Sequence, residues 1–268
     1  MNGISFDSED LKVDYLSFNL RFNSIEGIKE IADFLANTFD CRSTLYDQSS
    51  KKRHLLVENN RCRYSAEFVV NLNKHWRGTT LRFKGKDAQW FYKDVKYRKL
   101  DWSIFDLEYT NLGRIDLCYD RRLKQGDKDL NLFFENSSKR INNKKDNRRA
   151  KIGNNILRVE KRSSSNFFRV YLKPNGRELR FEIELKKAVV KKFQHYLFSD
   201  QTEVFEELLT THFYHQAIQL FDLKSSYSDW LFANFRRVRT PPIREVLINS
   251  LSTSYLTEKP IYGLVEVE

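Results

Sequence analysis

Tyr171 lies between Arg169 and Lys173 in FFRVYLK, and a short turn, PNGR, separates it from Glu182 and Glu184 in LRFEIELKK. A phenol titrates near pH 10, so it attacks a phosphodiester well only with help. A divalent ion held by carboxylate oxygens can neutralise the phosphate, and Arg169 or Lys173 can stabilise a phenolate. Asp116 and Asp120, in GRIDLCYDRR, supply two more carboxylates. These residue types suit transfer of a phosphoryl group onto a tyrosine.

Side chains alternate across a strand, which sorts these residues by face. Arg169, Tyr171 and Lys173 share one face of FFRVYLK, opposite Phe168, Val170 and Leu172. Arg180, Glu182 and Glu184 share a face opposite Leu179, Phe181, Ile183 and Leu185, and Arg114, Asp116, Cys118 and Asp120 one opposite Ile115, Leu117 and Tyr119. A turn at Asn175 and Gly176 sets Tyr171 opposite Arg180 and diagonal to Glu182. A plain sheet would give the same alternation, its Arg and Glu side chains pairing across strands in water. Spacing alone leaves both readings open.

Other groups carry less chemistry. His212 and His215 in HFYHQ share a helical face but have no acidic neighbour in sequence, so surface or interface histidines are expected; His195 stands alone. A metal site would therefore be built from carboxylates. Cys118 has no histidine near it in sequence, and no glycine-rich phosphate loop is present. The stretch RINNKKDNRRAKIGNN, with Arg140, Lys144, Lys145, Arg148, Arg149 and Lys151, has no apolar pattern and is expected to be a loop suited to gripping a DNA backbone. Lys161, Arg162, Asn154 and Ser163 to Ser165 are further candidate phosphate contacts. Trp76, Trp90 and Trp102 are expected in the core.

The elements that must position these residues follow from periodicity. VDYLSFNLRF reads as a strand, SIEGIKEIADFLANTF as a helix capped by Ser24, and YSAEFVVNLN and TTLRFKG as strands. A helix follows from near Asp87, then the GRIDLCYDRR strand, a helix over DLNLFFENSSKR, and strands at ILRVEKR, FFRVYLK and LRFEIELKK. The order points to an α+β fold, a mainly antiparallel curved sheet with helices packed on it. The same pattern occurs in each half, without a sequence repeat. AVVKKFQHYLF, QTEVFEELLTTHFYHQAIQLF and TPPIREVLINSL are helical by spacing. Residues 1–190 are thus expected to form the chemical domain and 191–268 a helical C-terminal extension.

Composition bounds the partner. The 268 residues include 47 basic and 36 acidic side chains, a net charge of +11, so a polyanion is the expected ligand. No apolar stretch reaches the roughly 18 to 20 residues of a transmembrane helix, and the start lacks the charge and apolar blocks of a leader. Cys41, Cys62 and Cys118 are too scattered for a zinc ribbon or a disulfide framework. A soluble, intracellular protein is expected, in a bacterial cytoplasm or an organelle.

Three segments in order carry a family resemblance. GRIDLCYD resembles the R-I-D-L-x-x-D strand of the replication initiation factor (Rep_trans) family, the rolling-circle plasmid initiators and related conjugative-element relaxases. NNILRVEKRSSSNFFRVYLK resembles the basic, serine-containing turn and R-[IV]-Y-x-K strand that follow it, and LRFEIELKK the R-[FV]-E-[LIF]-E-[LM] strand. The match is good over residues 111–187, weaker over 13–110, and absent from about 190. It implies a protein that nicks and rejoins DNA at an origin or transfer site through a 5′-phosphotyrosyl link, using Mg2+ or Mn2+. Tyr171 falls on the nucleophile, with Lys173 and Arg169 beside it, and Asp116 and Glu182 on the metal positions, with Glu184 and Asp120 as accessory groups. Arg114, Lys144, Lys145, Arg148, Arg149, Lys161, Arg162 and Arg180 become candidate DNA contacts. A homodimer and a helicase or other replication protein are the partners it implies. The turn PNGR is shorter than the run that follows the tyrosine strand in many members, so a non-catalytic nucleic-acid-binding or regulatory relative is the alternative.

Overall fold

Apolar residues at Val13, Leu16, Phe18 and Leu20 bury one side of β1 (Leu11–Leu20). The Ser24 hydroxyl accepts from the Gly27 amide at 3.1 Å and caps α1 (Ile25–Thr38), whose Ile28, Ile31, Ala32 and Leu35 are buried at helical spacing. The computed structural model describes residues 11–22, 24–49, 51–59, 63–72, 77–98, 110–123, 130–143, 148–198 and 202–221.

Four strands follow as a meander, β2 (Arg42–Ser49), β3 (Lys52–Glu58), β4 (Arg63–Leu72) and β5 (Arg77–Lys84), then α2 (Lys86–Arg98). The Asp87 carboxylate fixes the start of α2 by accepting from the Ser65 amide and hydroxyl at 3.0 and 2.9 Å. The second half repeats this order with β6 (Thr110–Arg122), α3 (Leu130–Asn142), β7 (Ala150–Gly153), β8 (Ile156–Val159), β9 (Asn166–Leu172), β10 (Glu178–Lys186) and α4 (Ala188–Phe198); α5 (Thr202–Phe221) is added.

The ten strands form one open antiparallel sheet in the order β2-β3-β4-β5-β1-β6-β10-β9-β8-β7. In each half the first strand pairs with the last strand of its own meander, and the two first strands, β1 and β6, pair at the centre. The sequence-based α+β expectation agrees with this architecture. All five helices cover one face, where Phe83 stacks on Phe91 of α2 at 3.9 Å and Phe181 packs on Phe133 of α3 and Phe221 of α5.

Several local expectations change. The basic stretch from Arg140 is not all loop: Ile141 is fully buried in the last turn of α3, and residues 150–153 form β7. Asn154 and Asn155 turn β7 into β8 with left-handed φ of 53° and 55°, so Asn154 is a turn residue. Lys144 and Lys145 lie outside the described residues. Trp90 is not core; it is 48% exposed on α2, while Trp76 and Trp102 lie outside the described residues. β2 and β3 have no counterpart in the periodicity reading, because β2 is an exposed edge strand.

The helical stretch after the sheet belongs to its core as far as Phe221. Val190, Phe193, Leu197, Phe205, Phe213 and Phe221 are buried, and the Phe213 and Phe221 rings lie 6.2 and 5.9 Å from Phe168. Residue 190 falls inside α4. The TPPIREVLINSL segment lies outside the described residues. Among those residues no helix is long and apolar enough to cross a membrane.

Candidate functional site

The site lies on the face opposite the described helices, where β6, β10 and β9 run side by side. Register places Glu184 opposite Asp116, Glu182 between Cys118 and Arg169, and Tyr171 opposite Arg180. Strand alternation and the Asn175–Gly176 turn are sufficient to produce this arrangement. The turn closes with the Gly176 amide donating to the Lys173 carbonyl at 2.9 Å.

One oxygen each of Asp116, Glu182 and Glu184 lies within 4.8 Å of the other two. The Tyr171 hydroxyl donates to Glu182 Oε2 at 3.0 Å. The four side chains are therefore one constellation.

The plain-sheet reading placed these carboxylates in water, and there it fails. Asp116, Glu182 and Glu184 are 2%, 3% and 0% exposed. Their cover is a layer of cations and rings. Arg114 bonds Asp116 through Nε at 2.6 Å, reaches Glu184 at 3.0 Å and lies over the Tyr15 ring at 4.4 Å. Arg169 pairs closely with Glu182 and stands 3.5 Å from Glu184, with its guanidinium 5.9 Å from the Phe167 ring. Lys186 reaches Glu184 Oε2 at 3.0 Å, and Arg162 comes within 3.5 Å of Oε1 although its side chain is 69% exposed.

This packing shifts the titrating groups. Burial raises the Asp116 carboxyl from 3.8 to about 7; Arg114 opposes the rise, and the charges of Glu182 and Glu184 add to it. Burial and the Glu182 carboxylate push the Tyr171 phenol up to about 12. Burial also raises the Cys118 thiol, which is fully buried and suited to packing rather than attack.

The all-oxygen donor set suits a hard divalent ion such as Mg2+ or Mn2+. Glu184 Oε1 is buried and accepts no hydrogen bond, although the guanidinium groups of Arg114, Arg162 and Arg169 stand 3.0 to 3.5 Å from it, so an ion there would take the place of these cations. The residues present fit such a group, with Asp116, Glu182 and Glu184 as the holders. The four cations now around them already balance much of their charge.

Other sequence candidates sit elsewhere. Lys173 is turned to other partners than the phenol: its ammonium is held by Glu178 at 2.6 Å and Asp120 at 3.4 Å. Arg180 forks onto Asp120 at 2.6 and 2.8 Å and reaches Asp14 at 3.2 Å. Arg148 donates to Gln216 of α5 at 3.1 Å, whereas Arg149 and Lys161 are exposed. His212 is not at the surface: it is buried, 3.2 Å from Asn166, and burial lowers its imidazole to about 4. The His195 side chain lies outside the described residues.

Three contributors escaped the sequence reading. Lys186 holds both Glu184 and the Arg162 carbonyl, and Lys187 bonds the Ser163 carbonyl at 2.7 Å, so the basic serine turn is tied beside the carboxylates. Strand parity would have revealed Lys186, two residues beyond Glu184. Tyr15, opposite Asp116 across the central pair, has no signal short of the β1–β6 register.

Comparison with known proteins adds no family. No protein-family model and no curated protein matches the chain. Among solved structures, DynU16, a protein of the dynemicin biosynthetic locus, shares 10% identity over 75% of this chain and 99% of its own, with a TM-score of 0.23. A likeness of that size carries no argument.

Proposed function

We propose that the chain is a metal-dependent nicking and joining enzyme for DNA, acting through Tyr171 in the manner its resemblance to replication initiators and relaxases implies. The observation that carries this reading is the Tyr171 hydroxyl donating to Glu182 within a buried three-carboxylate cluster. Attack by the phenol oxygen would form a tyrosyl–phosphorus bond and break the bond from phosphorus to the 3′ oxygen. The phenolic proton passes to Glu182 Oε2, which already accepts it, and the departing 3′ oxygen takes a proton from water. Rejoining reverses both changes. A phenol raised to about 12 needs that acceptor at neutral pH.

A divalent ion held by Asp116, Glu182 and Glu184 would supply charge neutralisation at the phosphate. Arg162, exposed yet beside Glu184, is placed to exchange its carboxylate for a phosphate oxygen.

A second reading, a nucleic-acid-binding relative without turnover, is favoured by one observation. Arg114, Arg162, Arg169 and Lys186 already compensate the carboxylates.

The deciding experiment incubates the protein with supercoiled DNA carrying candidate origins and Mg2+ or Mn2+, then looks on a denaturing gel for nicked circles and a covalent protein–DNA adduct. Tyr171→Phe should abolish both and leave the fold and DNA affinity intact, since the ring and the basic residues remain. An adduct that survives in this variant would sink the tyrosine assignment. A parent that never nicks leaves the binding-only reading.

A further inference from the structure

The row of side chains that contains Glu182 continues outward to the sheet edge. Lys151 of β7 is opposite Arg158 of β8, Arg158 is opposite Arg169 of β9, and Arg169 is opposite Glu182 of β10. Opposite residues of antiparallel strands point to the same face, so three cations in succession lead across the face opposite the described helices to the carboxylates. Adjacent strands lie about 4.8 Å apart, which makes the approach roughly 10 Å long from Lys151 to Arg169.

Like charges directly opposite one another destabilise a sheet. Arg169 is relieved by Glu182 and Glu184. Lys151 is exposed, and among the described residues neither it nor Arg158 pairs with a carboxylate. Arg158 instead donates to the Gly153 carbonyl at 3.0 Å, which draws its guanidinium towards the neighbouring row. That row runs Gly153, Ile156, Tyr171, Arg180. Gly153 has no side chain, the Arg158 guanidinium stands 3.7 Å from where its Cβ would be, and Ile156 is partly exposed, so this row offers a cation beside a small apolar surface next to Tyr171.

We propose that this hairpin, β7 and β8, is the entry track for a single nucleic-acid strand, with Lys151 and Arg158 holding successive phosphates and a base lying over Ile156 on the way to Tyr171. This rests on the proposed nicking function and names the form of its substrate. A single strand is favoured over a duplex because the acceptor of the Tyr171 proton is 3% exposed, and only a strand separated from its complement can lay a phosphate so deep in the face.

The test measures binding of a fluorescein-labelled oligothymidylate of about 20 nucleotides, a length that spans an extended site, by anisotropy over a salt series in the Tyr171→Phe background. Lys151→Gln with Arg158→Gln removes both charges, while an amide at 158 can still donate to Gly153; far-ultraviolet circular dichroism checks that the hairpin survives. The variant should bind more weakly, with the slope of log K against log salt reduced by about 1.4, roughly 0.7 per lost single-strand phosphate contact. Lys29→Gln, on the helix-bearing side, should change neither. An unchanged slope in the double variant overturns the track and leaves the nicking proposal standing, whereas nicking that survives in Tyr171→Phe together with the expected slope change overturns the tyrosine assignment and leaves the track. Failure of the parent to bind the oligonucleotide overturns the track outright, and the supercoiled-DNA assay then decides the function independently.

Discussion

At the residue scale, the shifted Asp116 carboxyl gives a pH dependence with a defined sign. From about pH 4 to about pH 7 the folded protein keeps a proton that the unfolded chain releases. Stability therefore falls as pH rises through that window, the reverse of an aspartate whose carboxyl is held below its usual range, because here burial outweighs the Arg114 pair. Urea unfolding at pH 5 and pH 7.5 should show the fall, and Asp116→Asn should reduce it. Nicking should run the other way, rising through neutrality as the third carboxylate gains its charge. Excess Mn2+ should move that midpoint to lower pH, because ion and proton compete for the same oxygen. A midpoint unmoved by Mn2+ would detach Asp116 from metal binding. The types and faces of Asp116, Glu182, Glu184 and Tyr171 were legible in the sequence because strand parity is strict. Their depth was not, since Arg114, Arg162, Arg169 and Lys186 crowd onto them from neighbouring strands and a turn, and that crowding depends on cross-strand neighbours.

At the element scale, the hairpin between β9 and β10 sets which carboxylate meets the tyrosine. A slip of one residue would send Tyr171 and Glu182 to opposite faces. The register was legible from the Asn175–Gly176 pair, because a turn centred there dictates Tyr171 opposite Arg180. The edge strands β2 and β7 were harder to see: one is polar and exposed along most of its length, the other only four residues long. Gly176 has a left-handed φ of 66° and open space where a Cβ would stand. Gly176→Ala should thus cost only backbone strain, about 1 kcal/mol, measurable by urea unfolding. Because β10 is also held along β6, the register should persist and nicking at saturating DNA should be unchanged. A large loss of nicking would mean that the turn itself touches substrate.

At the scale of the whole molecule, two copies of one strand–helix–meander–helix plan meet at β1 and β6, and the candidate site occupies only one of them. Where the second half has Asp116, Glu182 and Glu184, the first has Ser17, Asn19, Thr80 and Arg82, and its polar residues form a ladder: Asn19 donates to Asn111 at 3.0 Å and Asn71 to Thr80 at 3.0 Å. The duplication was visible as a recurring order of elements although no residues repeat, because an architecture constrains periodicity far more than identity. The role of the last helices was not visible, since spacing says that a helix is amphipathic but not which surface it covers. Phe193, Leu197, Phe205, Leu209, Phe213, Tyr214, Leu220 and Phe221 are all buried. At about 2 kcal/mol for each, removing them would exceed the 5 to 15 kcal/mol that holds a typical domain together. A chain ended after Lys187 should therefore fail to fold, showing aggregation and loss of near-ultraviolet circular dichroism, while one ended after residue 221 should retain both solubility and signal. If the shorter chain instead folds and binds DNA, the sheet is an autonomous domain and the helices from residue 188 are an appendage to it.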